Sequence, residues 1–595
     1  MKKITEYLRS VRFALGYSFR FARKETYFIF IIVTVIASLP YGSSFLLGKL
    51  VNFILAGARS GTYGGIWYML LAYSLVTALP AILGNIRVYN ARRRALQLQR
   101  EIELDILKRR EQIDIASYDD PEFQDLRQRT FRNGIFPISQ LANGQLDIYQ
   151  SAISFVVGTV LVINFDPLVY LLVIAAAIPS FIVDIKYANA SWSIWSKDSP
   201  EQRRYIDLRE HINSKSYLIE TKLLQSGKKL LNWMRKILVD FEKIQLGVEK
   251  KRLGQTSATD LLAFLGFGAA LFLVVRQVIN GEAEIGSLVY ILGILGSVRG
   301  SIASFLSNIS AQFENHLIVK DMIAFLGTKP VIIESQNPVK LNLASVPEIV
   351  FENVGFKYQN SDTWSLRNVN LTLLPGHKIG LVGNNGAGKT TFVKLLARIY
   401  DPVEGRILIN GVDLRDVAIA EWWLYLGIMF QDYASYDFLV KDAIAIGRPD
   451  QPTNIEQVKS AAEISQAHAF IEEWKDKYDQ QLGVEFKGKE PSKGQRQKLA
   501  IAKVIYRNAF IMVLDEPTAS VDAESEAKIF DSLENLSKDT TAILISHDFS
   551  TISECDEIFV LEKGSLLEQG NHKELMKKKG LYAELYALQA ERFKK

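Results

Sequence analysis

The residues best equipped for chemistry stand in one run, Ile379-Gly-Leu-Val-Gly-Asn-Asn-Gly-Ala-Gly-Lys-Thr-Thr391. A polyphosphate needs many donors converging on its oxygens. Glycines 383, 386 and 388, with Asn384, Asn385 and Ala387 between them, form a turn whose backbone N–H groups can wrap phosphates. Lys389 reaches the outer phosphates, and the hydroxyl of Thr390, next to Thr391, can ligate Mg²⁺. Such a loop works only between a strand and a helix. The apolar residues 379–382 supply the strand and residues 390–398 read as helix, so the phosphates would sit on the helix N-terminus.

A second apolar strand, Phe510-Ile-Met-Val-Leu514, ends in Asp515-Glu516 about 130 residues later. An acid delivered at the end of a buried strand suits metal and water chemistry: Asp515 would hold Mg²⁺ through water, and Glu516 would act as general base on an attacking water. A third strand, Thr541-Ala-Ile-Leu-Ile545, ends at Ser546-His547-Asp548, which brings His547 forward as a contact to the terminal phosphate.

These motifs occupy only the second half of the chain. Hydrophobic residues make up 48% and charged residues 23%, but the average hides two unlike halves. Up to about residue 325, apolar stretches alternate with basic segments; from about 347 the pattern is that of a soluble α/β domain. A bilayer core needs roughly 20 mostly apolar residues per helix. Six stretches qualify, near 27–56, 63–88, 136–163, 166–188, 256–279 and 284–310. Lys and Arg concentrate at the N-terminus, in 87–135 and in 189–254, while the short segments 57–62 and 165–166 carry only Arg59. Both termini are therefore expected on the cytoplasmic side. The two long inside segments read as helix, at 92–113 and 203–248, extending the spans as stalks. The start, 4–23, is amphipathic and is expected to lie along the inner membrane surface.

The last span carries Ser297, Ser301, Ser304, Asn308 and Gln312 on one helical face. Two readings stay open: close helix packing, or the lining of a solute pathway. Arg299 lies nearby on another face, and a charge at that depth ordinarily faces water or a partner. The formal charge of +5 is small for 595 residues, and the basic clusters beside apolar stretches suit lipid head groups rather than nucleic acid. The single cysteine, Cys555, excludes an intrachain disulfide and a multi-cysteine metal site. No cleavable signal peptide is evident.

Taken together, the chain resembles the half-transporters among ATP-binding cassette exporters, which move peptides, lipids and drugs. The resemblance implies an all-α membrane domain of six transmembrane helices with long cytoplasmic stalks (1–327), a linker (328–346) and an α/β P-loop cassette (347–595). It implies that Tyr358 stacks on adenine and that Gln431 contacts Mg²⁺ and relays to the membrane domain. Residues 519–522 are similar to the loop that crosses the dimer interface, and Asp119-Asp-Pro-Glu-Phe123 to the first coupling segment. One motif departs. Where the family has Leu-Ser-Gly-Gly-Gln, this chain has Pro491-Ser-Lys-Gly-Gln495. In the family that segment meets the ATP held by the opposite subunit, so Ser492, Lys493, Gly494 and Gln495 are assigned there.

The function expected is ATP-driven export or flipping of a hydrophobic or amphipathic solute across the cytoplasmic membrane. ATP and Mg²⁺ are the expected cofactors. The partners are a second half-transporter, identical or not, membrane lipid, and a small-molecule or peptide solute. An ATP-gated channel or regulatory membrane protein is the alternative, disfavoured by the presence of both Glu516 and His547. A soluble cassette protein is disfavoured by the apolar stretches. Cys555 lies in the cassette, so leader-peptide cleavage by this chain is not expected.

Overall fold

The computed structural model describes the chain except residues 1, 62–63, 133, 196–199, 360, 518–527, 530, 533–538, 547 and 594–595. Its contacts divide into two units, one of 1–111 and 125–328, the other of 112–124 and 329–595.

The first unit is helical. Its elements are α1 (Lys2–Phe21), α2 (Arg23–Ser60), α3 (Ile66–Gln112), α4 (Pro121–Arg132), α5 (Phe136–Phe165), α6 (Pro167–Trp195), α7 (Pro200–Asn213), α8 (Lys215–Leu223), α9 (Gly227–Ile279) and α10 (Ile285–Leu326). Among the described residues five helices, α2, α3, α5, α9 and α10, are long and apolar enough to cross a membrane; α6 adds a shorter apolar run, Pro167–Ser180. The reading of 92–113 as helix agrees with the structure, because α3 continues unbroken to Gln112. The reading of 203–248 as one helix is corrected. It breaks at Ser214, whose backbone is extended, and again at 224–226, where Gln225 has φ 52°. Ser214 and Ser226 sit at these breaks, and serine competes with the helix for backbone hydrogen bonds.

Bundle packing depends on close approach. α5 and α10 share the most extensive helix pairing, and Val162 of α5 lies in one buried cluster with Ile294, Leu295 and Val298 of α10. Gly144 leaves room for the buried Gln312 side chain, and Gly158 for Val298 and Tyr41. α2 meets α10 at Gly48 and Gly286, where a Cβ on either residue would strike the other's carbonyl oxygen. The polar stripe of α10 divides its roles. The Ser297 and Ser301 hydroxyls bond back to Gly293 O (2.9 Å) and Val298 O (2.7 Å), and Asn308 donates to Ser151 Oγ (3.4 Å). Ser304 and Asn308 also line a cavity of about 510 Å³ shared with Arg87, Asp147 and Gln150.

The second unit is α/β. A four-stranded antiparallel sheet has the order β2-β1-β4-β5, from β1 (Ile349–Phe356), β2 (Leu366–Leu373), β4 (Glu404–Ile409) and β5 (Val412–Asp413). A six-stranded sheet has the order β10-β9-β3-β8-β7-β6, from β3 (Lys378–Val382), β6 (Leu426–Met429), β7 (Ile511–Asp515), β8 (Thr541–Ile545), β9 (Glu557–Glu562) and β10 (Ser565–Gly570). All its pairings are parallel except β10 with β9. The helices used below are α11 (Lys389–Leu396), α12 (Ile419–Leu424), α13 (Val440–Ala445), α14 (Ile455–Ile464), α15 (His468–Glu472) and α16 (Lys493–Arg507). Helix α11 bridges to the antiparallel sheet, its Phe392 stacked on Phe351 of β1 at 4.5 Å between ring centres. Trp422 of α12 is fully buried and donates through Nε1 to Leu396 O at 2.8 Å, pinning the end of α11. Residues 112–124 belong to this unit: Ala116 joins its core, the Tyr400 hydroxyl donates to Asp119 Oδ2 (2.6 Å), and Asp114 accepts from Ile332 N (2.8 Å).

The glycine crossing sets a prediction. Gly286→Val should lower the melting temperature of the purified, detergent-solubilised protein, by an overpacking cost of about 1–3 kcal/mol. Gly296→Val, at a position open to space, should leave it nearly unchanged. Equal melting temperatures for the two variants would refute the crossing.

Candidate nucleotide site

The phosphate loop is built where β3 ends and α11 begins. Gly383, Gly386 and Gly388 have φ of 158°, 78° and 104°. A Cβ on Gly383 would strike the Leu561 carbonyl of β9, and one on Gly388 would lie 2.6 Å from Ser365 O. Gly386 meets no neighbour; there the left-handed backbone itself asks for glycine. Asn384, Asn385 and Thr390 are exposed at the mouth, whereas Ala387 and Thr391 are buried.

Lys389 is 9% exposed, and its Nζ donates to Gly383 O (2.7 Å) and Asn384 O (3.2 Å), so the ammonium curls over its own loop. Burial lowers its pKa from the usual lysine value, while the neighbouring Glu516 and Asp515 carboxylates work against that shift. A further negative group, such as a phosphate, would favour the charged ammonium in the same way.

Asp515 is buried at the end of β7. Glu516 follows with φ 50°, a left-handed conformation that costs a non-glycine residue of order 1–3 kcal/mol. The surroundings hold it there. Glu516 N donates to Ile545 O (2.8 Å), Gln497 Nε2 donates to Glu516 O (3.1 Å), and Gln431 Nε2 donates to Glu516 Oε2 (2.8 Å). The structure thus joins two residues chosen separately, Gln431 and Glu516, beside Lys389. Gln497 escaped the sequence reading: a buried glutamine five residues after Ser492 carries no motif of its own.

Tyr358 is half-buried beside the loop. Its hydroxyl lies 3.2 Å from Thr391 Oγ1, and Lys394 Nζ sits 5.4 Å from its ring centre. The segment 491–495 opens α16. Ser492 Oγ accepts from Gln495 N (3.2 Å) and Gln495 Oε1 accepts from Ser492 N (2.9 Å), a reciprocal cap. Lys493 is exposed at the first helical position without positive φ, so its backbone does not require glycine here. The Tyr433 hydroxyl donates to Lys493 O at 3.3 Å, and Gly494 follows half-buried. Among the described residues no hydrogen bond joins Ser492–Gln495 to the Gly383–Thr391 loop. His547 and residues 519–522 lie outside the described residues.

Comparison with known proteins agrees with this architecture. Residues 366–519 match the ABC transporter family model. The chain is 24% identical to the subtilin transport ATP-binding protein SpaT of Bacillus subtilis, over 93% of this chain and 90% of that one. It is 36% identical to the ATP-dependent lipid A-core flippase of Blochmanniella floridana, over 48% of each chain. A bacterial Atm1-family ABC exporter solved with ATP bound superimposes with a TM-score of 0.82 at 23% identity, over 96% of this chain and 98% of that one.

Two outcomes follow from the geometry. Lys389→Ala should weaken nucleotide binding itself, measured by equilibrium titration with a fluorescent ATP analogue. Tyr358→Ala should raise the KM for ATP about tenfold, whereas Tyr358→Phe or Trp should not, because a base–aromatic stack is worth on the order of 1–3 kcal/mol. Unchanged KM in Tyr358→Ala would reduce Tyr358 to a packing aromatic.

Proposed function

We propose, for a chain that is an ATP-binding cassette exporter with an ATPase coupled to transport, that it is one half of a dimer expelling an amphipathic solute by alternating access. The single observation that carries the hydrolytic reading is the Gln431–Glu516 hydrogen bond beside Lys389. It aims a carboxylate at the mouth of the phosphate loop and ties it to a residue outside the loop.

The roles divide as follows. The loop 383–391 cradles the phosphates, Lys389 turns from its loop carbonyls to the outer phosphates, and Tyr358 carries the base. Glu516 takes the proton of the attacking water. Thr390, Gln431 and Asp515 are the residues that would hold Mg²⁺; they offer a hydroxyl, an amide oxygen and a carboxylate, all hard oxygen donors suited to it. That ion would neutralise phosphate charge. His547 is assigned to the terminal phosphate, and 519–522 to the dimer interface.

Among the described residues no hydrogen bond joins Ser492–Gln495 to the phosphate loop. This supports reading the complete site as assembled from two chains, each closing the other's nucleotide. ATP drives closure only by binding the closed state better than the open one. Residues 1–327 form the membrane domain with six spans, the apolar part of α6 counted among them, 328–346 the linker and 347–595 the cassette. Both termini lie in the cytoplasm, and the protein resides in the bacterial inner membrane. Because this chain's signature is substituted at Pro491 and Lys493, the partner we favour is a second half-transporter with an intact Leu-Ser-Gly-Gly-Gln, which would complete this chain's catalytic set.

Glu516→Gln should retain ATP yet lose nearly all steady-state hydrolysis, leaving a closed, nucleotide-loaded dimer detectable by size and nucleotide retention. Near-normal turnover would remove Glu516 from its role. Partner choice is tested by purifying this chain alone and measuring ATPase before and after Pro491→Leu plus Lys493→Gly. A large gain supports the need for a partner's signature; brisk turnover by the unmodified chain as a homodimer refutes it.

A further inference from the structure

We propose that the cavity enclosed by α6, α9 and α10 recognises a zwitterionic amphiphile, its charged end held by Asp260, Arg299 and Ser180. The inference deepens the export reading above and rests on it.

The cavity holds about 110 Å³ and takes Ser180 from α6, Asp260 from α9 and Arg299 from α10, set in apolar walls that include Phe267 and Ile302. Asp260 and Arg299 lie inside the apolar stretches 256–279 and 284–310. Charges placed at such depth face water, a partner group or a solute pathway. Both side chains are exposed, and neither makes a hydrogen bond or ion pair among the described residues. Ser180 Oγ is buried and has no hydrogen-bond partner among them. The contrast with the cavity between α3, α5 and α10 is informative. There Arg87 pairs with Asp147 and donates to Gln150 Oε1 at 2.6 Å, so the charges satisfy one another. Asp260 and Arg299 instead line one space, unpaired.

A second cavity adjoins the first. It holds about 330 Å³, is lined entirely by apolar side chains, among them Phe155, Val156 and Phe305, and shares Ala177, Ile302 and Leu306 with its neighbour. The two together offer one acid, one base and one hydroxyl beside an apolar chamber. A solute carrying both an anionic and a cationic group next to an apolar tail satisfies all of them. The guanidinium takes the anionic group, the carboxylate takes the cationic one, and the tail fills the chamber. A purely anionic or purely cationic amphiphile leaves one protein charge unmatched, which is how such a site would discriminate.

The test uses the full chain, with its partner where one is required, in proteoliposomes. Four probes are compared for ATP-dependent movement, three with acyl chains of matched length and one peptide: phosphatidylethanolamine, phosphatidylglycerol, a cationic acyl ester of choline, and a leucine-rich hexapeptide with free ends. The first and last separate a lipid source of the zwitterion from a peptide source. Wild type should favour one or both zwitterions over the singly charged probes. Arg299→Gln should shift that preference about tenfold toward the cationic probe, and Asp260→Asn about tenfold toward the anionic one, the size expected for losing one charged contact. Transport without head-group preference, or an equal loss for every probe in both variants, overturns the site while leaving export intact. Failure of every probe to move, with ATPase present, would sink the amphiphile-export reading itself.

Discussion

The cassette depends on the parallel pairing of β3 with β8 and of β8 with β7. Leu381 of β3 and Asp515 of β7 both register on Ile545, so the phosphate loop and the Asp515-Glu516 pair leave the sheet at one edge. Ligands of open parallel sheets gather outside the carboxyl ends of the strands for this reason. β7 and β8 are buried along their whole length, and a buried strand cannot drop its backbone hydrogen bonds. A slip in register would therefore misplace the chemistry and orphan the ladder at once. Glu516 extends that ladder by one bond to Ile545 O, then turns left-handed, which carries its carboxylate to Gln431.

Around this edge the chain ties distant segments to the same two residues. Gln431 follows β6, and Gln497 belongs to the helix opened by Ser492, yet both end on Glu516. A change at the start of α16 is thereby linked through one helix to the backbone of Glu516. The chain crosses between the two units at 111/112, 124/125 and 328/329. Residues 112–124, from the last residue of α3 onward, are held within the second unit through Ala116, Asp114 and Asp119. A movement of the second unit is therefore passed to the first through the covalent chain at these three points.

In the helical unit, the same economy of space is achieved with glycine. Gly48 and Gly286 let two backbones touch, and Gly144 and Gly158 receive side chains from the helix opposite or its neighbour. Between apolar surfaces already alike, packing and a few polar contacts decide which helices associate. The α10 stripe divides between two environments. Its serines at 297 and 301 satisfy their hydroxyls on their own helix, while Ser304 and Asn308 reach a cavity.

What the sequence alone determined is everything carried by short spacing. Three glycines, a lysine and a threonine between a strand and a helix define a phosphate loop locally, because backbone geometry and donor number are set within about a dozen residues. The apolar stretches and the unbroken α3 stalk were legible for a similar reason, since hydropathy and helical period are local. The failed helix across 203–248 shows the limit: periodicity continued through Ser214 and 224–226, but the backbone turns extended at Ser214 and left-handed at Gln225. Only the tertiary structure brought Gln431 and Gln497 onto Glu516, because those contacts span 85 and 19 residues and depend on sheet order. It alone distinguished the charges that neutralise each other, Arg87 and Asp147, from Asp260 and Arg299, which share a cavity and have no ion pair among the described residues. A charge in an apolar stretch is visible in one dimension, but its partner is a fact of three.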